Sequence, residues 1–262
     1  MPEAIINQLR IHFEETGAGD AILFLHGLGS CGQDWLLQTP TFCRRFHVIA
    51  PDLHGHGQTD KPRKRVSIAQ MMADVACLLD ELGVRLTHIV GLSMGGCVAQ
   101  QLALDDPARV RSLTLVNTFA RFDPGAPGNA IPLGIRLGVL SVLGLPAQAR
   151  FVAARMFPKP EQAQLRALAV ERIASNDTAT YYRLLFAISS FNVTRRLREI
   201  ACPTLVIAGD RDTTVPLRAK KFLAERIRGA RFELVADSGH ATPIDQPEAF
   251  NRLVMNFVES VP

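Results

Sequence analysis

The sequence has no hydrophobic run long enough to cross a membrane. A membrane-spanning helix needs about 18 consecutive apolar residues. No stretch of the 262-residue chain reaches that length, although 47% of its residues are hydrophobic. The first seven residues show no basic segment followed by an apolar core, so no secretory leader is visible. We therefore expect a cytoplasmic protein that does not act at a membrane.

The sequence is also poor in cysteine and carries little net charge. Its five cysteines are odd in number and include no C-x-x-C pair, which favours reduced thiols over a disulfide framework. The net charge of +4 comes without a long basic stripe, so we expect no nucleic acid partner. The densest basic run, residues 61–65, contains a proline and is interpreted as a solvated loop.

Apolar runs and helical periodicities alternate along most of the chain. Residues 4–16 predict an edge hairpin, and continuous apolar runs predict buried strands. The predicted strands cover residues 21–25, 46–50, 86–90, 112–117, 203–208 and 231–235. The predicted helices cover residues 35–42, 68–82, 94–104, 216–227 and 247–259. Such alternation predicts an α/β fold with a mostly parallel central sheet and helices on both faces.

The alternation breaks between residues 120 and 199. This segment contains a Gly/Pro-rich linker at residues 124–128 and shows no obvious strand. Its apolar helical stretches cover residues 133–143, 147–156, 161–174 and 180–190. We therefore predict an α/β core formed by residues 1–119 and 200–262, with residues 120–199 inserted as a helical cap or lid.

A G-x-S-x-G pattern follows the predicted strand at 86–90. Its residues are Gly91-Leu92-Ser93-Met94-Gly95, and a predicted helix begins directly after Ser93. In a nucleophile elbow the serine stands on a strained strand-to-helix turn, where side chains at the flanking glycines would obstruct the packing of helix against strand. The pattern therefore makes Ser93 a candidate nucleophile.

The carboxyl ends of the other predicted strands supply the partners that a serine needs. In an open α/β sheet functional groups collect at this edge, and Asp210, Asp212 and His240 reach it after the last two strands. A serine hydroxyl is a weak nucleophile unless a base takes its proton. His240 is the candidate base, and either Asp210 or Asp212 could orient it.

Acyl transfer also needs donors for the developing oxyanion. The backbone N–H of Met94 directly follows Ser93 at a helix N-terminus and is one candidate. The N–H of Leu28, in the Gly-rich loop after the strand at 21–25, is the other.

Five motifs together resemble a known family. His26-Gly27-Leu28-Gly29 and the segments 52–57, 91–95, 209–216 and 238–240 are similar to those of lid-bearing α/β-hydrolases, especially small carboxylesterases and 3-oxoadipate enol-lactonase-like hydrolases. The resemblance implies the α/β-hydrolase fold and a catalytic triad. In that family the acid typically stands four residues before a proline, which selects Asp212, ahead of Pro216, over Asp210. The implied triad is Ser93, Asp212 and His240, with no metal or cofactor.

Other polar residues in the predicted loops have simpler interpretations. His26, His54 and His56 lie on Gly-containing loops without a carboxylate or cysteine at ligand spacing, so we expect them to support turns rather than bind a metal. Asp52 is interpreted as a structural acid of its loop. Trp35 is interpreted as a residue that packs a helix onto the sheet, with a place in the pocket wall as the alternative.

These observations favour a serine hydrolase that acts on a small, fairly hydrophobic carboxylic ester or lactone. A lactone with a free carboxylate would need an arginine in the pocket. The candidates within the predicted cap are Arg136, Arg150, Arg155, Arg183 and Arg195. Ser93 argues against haloalkane dehalogenation, which needs a carboxylate nucleophile. Three alternatives stay open: hydrolysis of C–C bonds in ring-cleavage products, perhydrolase activity, and a small-molecule receptor that retains the triad. A homodimer is also left open.

Overall fold

Parallel strands dominate the architecture. The computed structural model describes residues 2–62, 64–122 and 133–262, with the backbone alone at 133–137 and 139. Within these residues one sheet has the strand order β1-β2-β4-β3-β5-β6-β7-β8. The strands are β1 (Glu3–Ile6), β2 (Leu9–Thr16), β3 (Asp20–Leu25), β4 (Phe46–Pro51), β5 (Thr87–Leu92), β6 (Val110–Val116), β7 (Thr204–Gly209) and β8 (Arg231–Val235). Among the strands of the described residues, only the pairs β1–β2 and β2–β4 are antiparallel, so the predicted edge hairpin and mostly parallel sheet are confirmed.

Helices cover both faces of this sheet. They are α1 (Thr39–Phe42), α2 (Ile68–Glu81), α3 (Met94–Asp105), α4 (Leu133–Met156), α5 (Ala163–Ala174), α6 (Thr178–Ser189), α7 (Leu217–Arg226), α8 (Thr242–Asp245) and α9 (Pro247–Glu259). Successive strand residues point to opposite faces. Leu23 packs in the core that includes α2, α3 and α7, whereas Phe24 packs in the core that includes α9. The predicted arrangement of helices on both faces is therefore confirmed.

The prediction of one helix over residues 35–42 is wrong. The segment forms a short 3-10 turn at Gly32–Trp35 and then the separate α1. Pro40 lies in the first turn of α1, where its missing N–H costs nothing; in a continuous helix it would interrupt the hydrogen-bond ladder. Trp35 is buried between Phe24 and Phe250, so it packs in the core as expected.

The insertion between β6 and β7 contains α4, α5 and α6. A break at Gly144, where φ is 75°, divides α4 close to the gap between the two stretches predicted from the sequence, and Pro146 follows the break by two residues. The Gly/Pro-rich linker predicted at 124–128 lies outside the described residues, as does Arg63 of the basic loop. Among the residues described, no helix is both long and apolar enough to cross a membrane.

Candidate active site

The turn between β5 and α3 holds Ser93 in a strained backbone conformation. Its φ is 54° and its ψ is −111°, a region that residues with a Cβ rarely occupy. The flanking glycines are needed for close approach. A Cβ on Gly91 would lie 2.5 Å from the carbonyl oxygen of Gly95, and one on Gly95 would lie 2.1 Å from that of Leu25. The helix therefore sits too close to the sheet for any other residue, as the pattern predicts.

The loop after β3 lies beside Ser93. A Cβ on Gly27 would be 3.6 Å from the Ser93 Cβ, so the residue that precedes Leu28 lies against Ser93. Met94 is the first residue of α3, where N–H groups have no intrahelical acceptor. His26 fixes the loop, because its Nδ1 bonds the Gly27 oxygen at 2.8 Å and its Nε2 accepts the Leu53 N–H at 3.0 Å.

Asp212 bonds the imidazole of His240 directly. Oδ2 of Asp212 lies 3.1 Å from Nδ1 of His240, and both side chains are buried. Oδ1 accepts the N–H groups of Thr214 at 2.7 Å and Val215 at 3.1 Å. Asp210 instead accepts the N–H of Ser238 at 3.1 Å. Of the two candidate acids, Asp212 is thus the one that contacts the histidine.

The carboxylate of Asp212 is strongly stabilised in its charged form. Burial alone would raise its pKa, but the neighbouring His240 and Lys220 hold that pKa down at about 2. Asp212 is therefore ionised over the whole range in which a histidine can exchange a proton.

Asn117, at the end of β6, connects the loops that carry these groups. Its φ is 44°, a conformation that asparagine tolerates better than most residues. Its Nδ2 donates to the carbonyl oxygens of Gly239 at 3.2 Å and His240 at 2.8 Å, and its Oδ1 accepts the N–H of Gly209 at 2.9 Å. The loops after β7 and β8 are thereby held to the end of β6.

Ser93 lies at the same edge of the sheet as Asp212 and His240, but its hydroxyl is not hydrogen-bonded to His240. The Ser93 N–H donates to the oxygen of Val116 at 2.9 Å, directly before Asn117. In the described part of the chain the Ser93 hydroxyl makes no hydrogen bond with His240. The hydrogen bond between a nucleophile and its base often tightens only when substrate binds, so this geometry is compatible with a nucleophile and its base.

Two residues of the site, one buried and one partly buried, are not predicted from the sequence. Lys220 of α7 bonds Oδ2 of Asp212 at 2.9 Å. Asp245 of α8 accepts the Gly239 N–H at 2.6 Å and the Ser238 hydroxyl at 3.1 Å, which fixes the loop before His240. Neither residue belongs to a motif, and a lysine within a charged helical stretch is indistinguishable by sequence from a solvated one.

Asp52 has the structural role expected of it. Its carboxylate accepts the N–H groups of Gly32 at 2.7 Å and Gln58 at 2.8 Å, and it contacts Nδ1 of His12 at 3.0 Å. It therefore organises the loop after β4 and does not contact His240.

The three loop histidines also bond protein atoms. His54 lies 2.9 Å from a carboxylate oxygen of Asp74, and Nδ1 of His56 lies 3.3 Å from the Leu53 oxygen. The rings of His26 and His56 pack edge to face, 4.8 Å apart. These contacts are those of turn-supporting side chains. Among the described residues, no group of three or more His, Cys, Asp or Glu side chains is arranged to hold a metal ion.

Burial of His26 and His56 predicts loss of stability in acid. Burial lowers the pKa of both imidazoles from 6.5, in His56 to well below that value. Below pH 6.5 the unfolded chain binds protons that the folded chain does not. The free energy of unfolding should therefore fall as pH decreases, by up to about 1.4 kcal/mol per pH unit for each histidine until its folded pKa is reached.

Urea unfolding between about pH 7.5 and pH 5 measures this slope. The variant His56→Gln should show a shallower slope than the wild type. The matched control is His47→Gln, because His47 is partly exposed and paired with Glu15. Equal slopes in wild type and His56→Gln would contradict the prediction.

The inserted helices lie over the edge that carries these groups. Arg172 of α5 bonds Asp34 at 3.2 Å, and Asn176 donates to the Gly29 oxygen at 3.2 Å. Lys159, after α4, donates to the Asp237 oxygen at 2.8 Å. An apolar cluster between these helices packs against Leu28; its buried members are Leu140, Leu145, Ala149, Ile173 and Tyr181.

Some apolar and basic residues of the insertion lie away from its apolar cluster. Phe186 is 53% exposed, with the Arg65 guanidinium 4.8 Å from its ring centre. Its neighbour Leu185 is buried, so Phe186 lies on the outer side of α6. Among the candidate arginines, Arg155 donates to the carbonyl oxygen of Thr213, next to Asp212. The side chain of Arg136 lies outside the described part.

Comparison with known proteins identifies the family of the chain. The model described as the alpha/beta hydrolase fold matches residues 20–247. The chain is 32% identical to "Putative carbamate hydrolase RutD" of Azorhizobium caulinodans over 98% of each chain. It is 28% identical to 3-oxoadipate enol-lactonase 1 of Acinetobacter baylyi over 92% of this chain and 89% of that one. The crystal structure of the enol-lactonase from Burkholderia xenovorans LB400 has a TM-score of 0.91 at 27% identity, covering 99% of this chain and 100% of that chain. This chain therefore belongs to the α/β-hydrolase fold family, and it is a hydrolase.

Proposed function

We propose that the protein is a serine hydrolase that cleaves small, fairly hydrophobic carboxylic esters or lactones through an acyl-enzyme. The observation that carries the proposal is the buried hydrogen bond between Asp212 and His240, 3.1 Å long, at the sheet edge where the strained turn presents Ser93. A histidine oriented by an ionised carboxylate is the arrangement that makes a serine hydroxyl nucleophilic. Ser93, Asp212 and His240 are the proposed triad.

In the proposed reaction the Ser93 oxygen attacks the ester carbonyl while Nε2 of His240 takes the hydroxyl proton. Asp212, bonded to Nδ1, keeps the imidazole in the correct tautomer and stabilises the imidazolium that forms. The backbone N–H groups of Leu28 and Met94 are the proposed oxyanion donors. His240 then gives its proton to the departing alkoxide. Water, deprotonated by His240, then attacks the acyl-enzyme. The bond to the Ser93 oxygen breaks, that oxygen takes the proton back from His240, and the acid is released.

The helices between β6 and β7 are proposed to act as a cap that selects the substrate, so that residues 120–199 form a unit distinct from the core. Their contacts with the loops after β3 and β8 support this role, because those loops flank Ser93 and His240. The apolar packing of α4, α5 and α6 against Leu28 favours an uncharged acyl group. The proposal involves a small-molecule substrate in the cytoplasm and requires no metal, cofactor, nucleic acid or membrane surface.

A carbamate is the second candidate substrate, because a relative with 32% identity carries the name of a carbamate hydrolase. A carbamate carbonyl accepts the same attack by serine and releases an amine or an alcohol. The same residues would serve both reactions, and the cap would decide between them.

Turnover of a substrate panel tests the proposal. The panel contains p-nitrophenyl acetate and butyrate, a simple lactone, an enol-lactone, an alkyl carbamate and a ring-cleavage product. We expect turnover of a short ester or a lactone that is lost in Ser93→Ala. Turnover of the ring-cleavage product alone would favour C–C hydrolysis. Binding of esters or lactones without turnover in either protein would favour a receptor and contradict the proposal.

A further inference from the structure

Lys220 is a charged side chain with no exposed surface. It lies on α7, and its ammonium donates to three oxygens: Asp212 Oδ2 at 2.9 Å, Asn117 Oδ1 at 3.1 Å and the Gly209 carbonyl at 3.3 Å. An ammonium has three N–H donors, so every donor has an acceptor. Burial lowers the pKa of Lys220, and the adjacent Asp212 opposes this effect. A buried ion is rarely kept without a paired partner, and here the partner is the proposed catalytic acid.

The oxygen that Lys220 contacts is the one that faces His240. Oδ2 of Asp212 lies 2.9 Å from the lysine nitrogen and 3.1 Å from Nδ1 of the histidine. The two nitrogens are therefore separated by at most about 6 Å, a distance at which a buried positive charge opposes a second one by kilocalories per mole. Lys220 competes with the imidazolium for the negative charge of Asp212.

The carboxylate has a second set of anchors that is independent of Lys220. Oδ1 of Asp212 accepts the backbone N–H groups of Thr214 and Val215. These donors belong to the loop after β7 and remain when the lysine side chain is replaced. Loss of the ammonium should therefore leave the carboxylate facing His240.

Other charged residues lie on the neighbouring loops and helices. Asp210 and Arg211 lie on the same loop, 3.9 Å apart, and Arg155 of α4 reaches the Thr213 oxygen. Lys159 pairs with Asp237 before His240, and Asp245 of α8 holds the Gly239 N–H. Lys220 differs from these groups because it is fully buried and bonds the carboxylate oxygen itself.

We propose that Lys220 is a positioning residue whose ammonium restrains protonation of His240 and so extends its activity as a base to lower pH. The proposal rests on the role of His240 in the proposed hydrolase, whereas the contacts of Lys220 and His240 with Asp212 can be tested without a substrate. Without the ammonium, Asp212 would hold the imidazolium more tightly. His240 would then be protonated at higher pH and unavailable as a base there.

Nuclear magnetic resonance of histidine-labelled protein tests this without any substrate. His240 is one of seven histidines and is identified by the signal that His240→Gln removes. In Lys220→Met, and in Lys220→Gln, which keeps an amide donor for Asn117, the titration midpoint of His240 should rise by about one pH unit. Lys220→Arg keeps the charge and should stay near the wild-type midpoint. Lys221→Met, which alters the exposed neighbouring lysine, is the matched control.

The direction of the change separates this role from a purely structural one. If the lysine merely held Asp212 in place, its loss would let the carboxylate leave His240, and the midpoint would fall. A midpoint that is unchanged or lower in either neutral variant, or a rise in Lys220→Arg as large as that in Lys220→Met, would overturn the proposal. If the protein hydrolyses esters, the low-pH limb of the kcat/KM profile should shift to higher pH in the two neutral variants. The shift should equal that of the His240 midpoint, and KM should change little. Absence of turnover in the wild type would contradict the hydrolase proposal alone.

Discussion

Replacement of Ser93 by alanine is expected to reduce kcat by about 10⁶-fold. The change removes the oxygen that would form the acyl-enzyme. Alanine also has a Cβ, so the turn keeps its positive φ and its strain. The loss of activity therefore reports the hydroxyl group and not a relaxed backbone. Steady-state hydrolysis of a short p-nitrophenyl ester measures the effect.

The matched control is Ser189→Ala, which removes a serine hydroxyl on α6 that bonds only the Phe186 oxygen within the described residues. This variant should hydrolyse the ester at the wild-type rate. A serine-directed fluorophosphonate should label the wild type and Ser189→Ala but not Ser93→Ala. Activity above about one hundredth of the wild-type value in Ser93→Ala would show that Ser93 is not the nucleophile.

The fold is the property that the sequence predicted best. Strands that are buried on both faces have continuous apolar sequences, which makes β3, β5 and β7 easy to recognise. Because these runs alternate with segments of helical periodicity, the sequence predicts a mostly parallel sheet. The family match confirms this fold. The positions of Ser93 and His240 followed because parallel strands bring their carboxyl ends to one edge. Their catalytic roles remain predictions.

The residues that the sequence did not reveal act through contacts between distant segments. Asn117 was recognised only as a residue at a strand end; its bonds to the loops after β7 and β8 depend on a tertiary arrangement that has no local pattern. Lys220 looks like any lysine of an amphipathic helix. Its burial depends on how α7 packs beside the end of β7. A motif records the spacing of residues along the chain, whereas charge networks in the interior depend on packing across it.

Replacement of Asp212 by asparagine is the second large effect that we expect, with kcat lowered by about 10⁴-fold near neutral pH. An amide in this position can donate to Nδ1 of His240 instead of accepting from it. That would favour the tautomer whose Nε2 carries a proton and cannot serve as a base. The change also leaves the ammonium of Lys220 buried without its counter-ion, which typically costs about 3–5 kcal/mol of stability. Kinetics at a temperature well below the unfolding midpoint separates the two losses.

Asp210→Asn is the control that decides between the two acids of this loop. Asp210 accepts the N–H of Ser238 at 3.1 Å, and an asparagine can still supply a carbonyl oxygen to that donor. Because its carboxylate does not contact the imidazole, we expect kcat to fall by less than about tenfold. The reverse result, full activity in Asp212→Asn and a large loss in Asp210→Asn, would assign the acid to Asp210. The hydrogen bond between Asp212 and His240 would then be a structural contact that the reaction does not use.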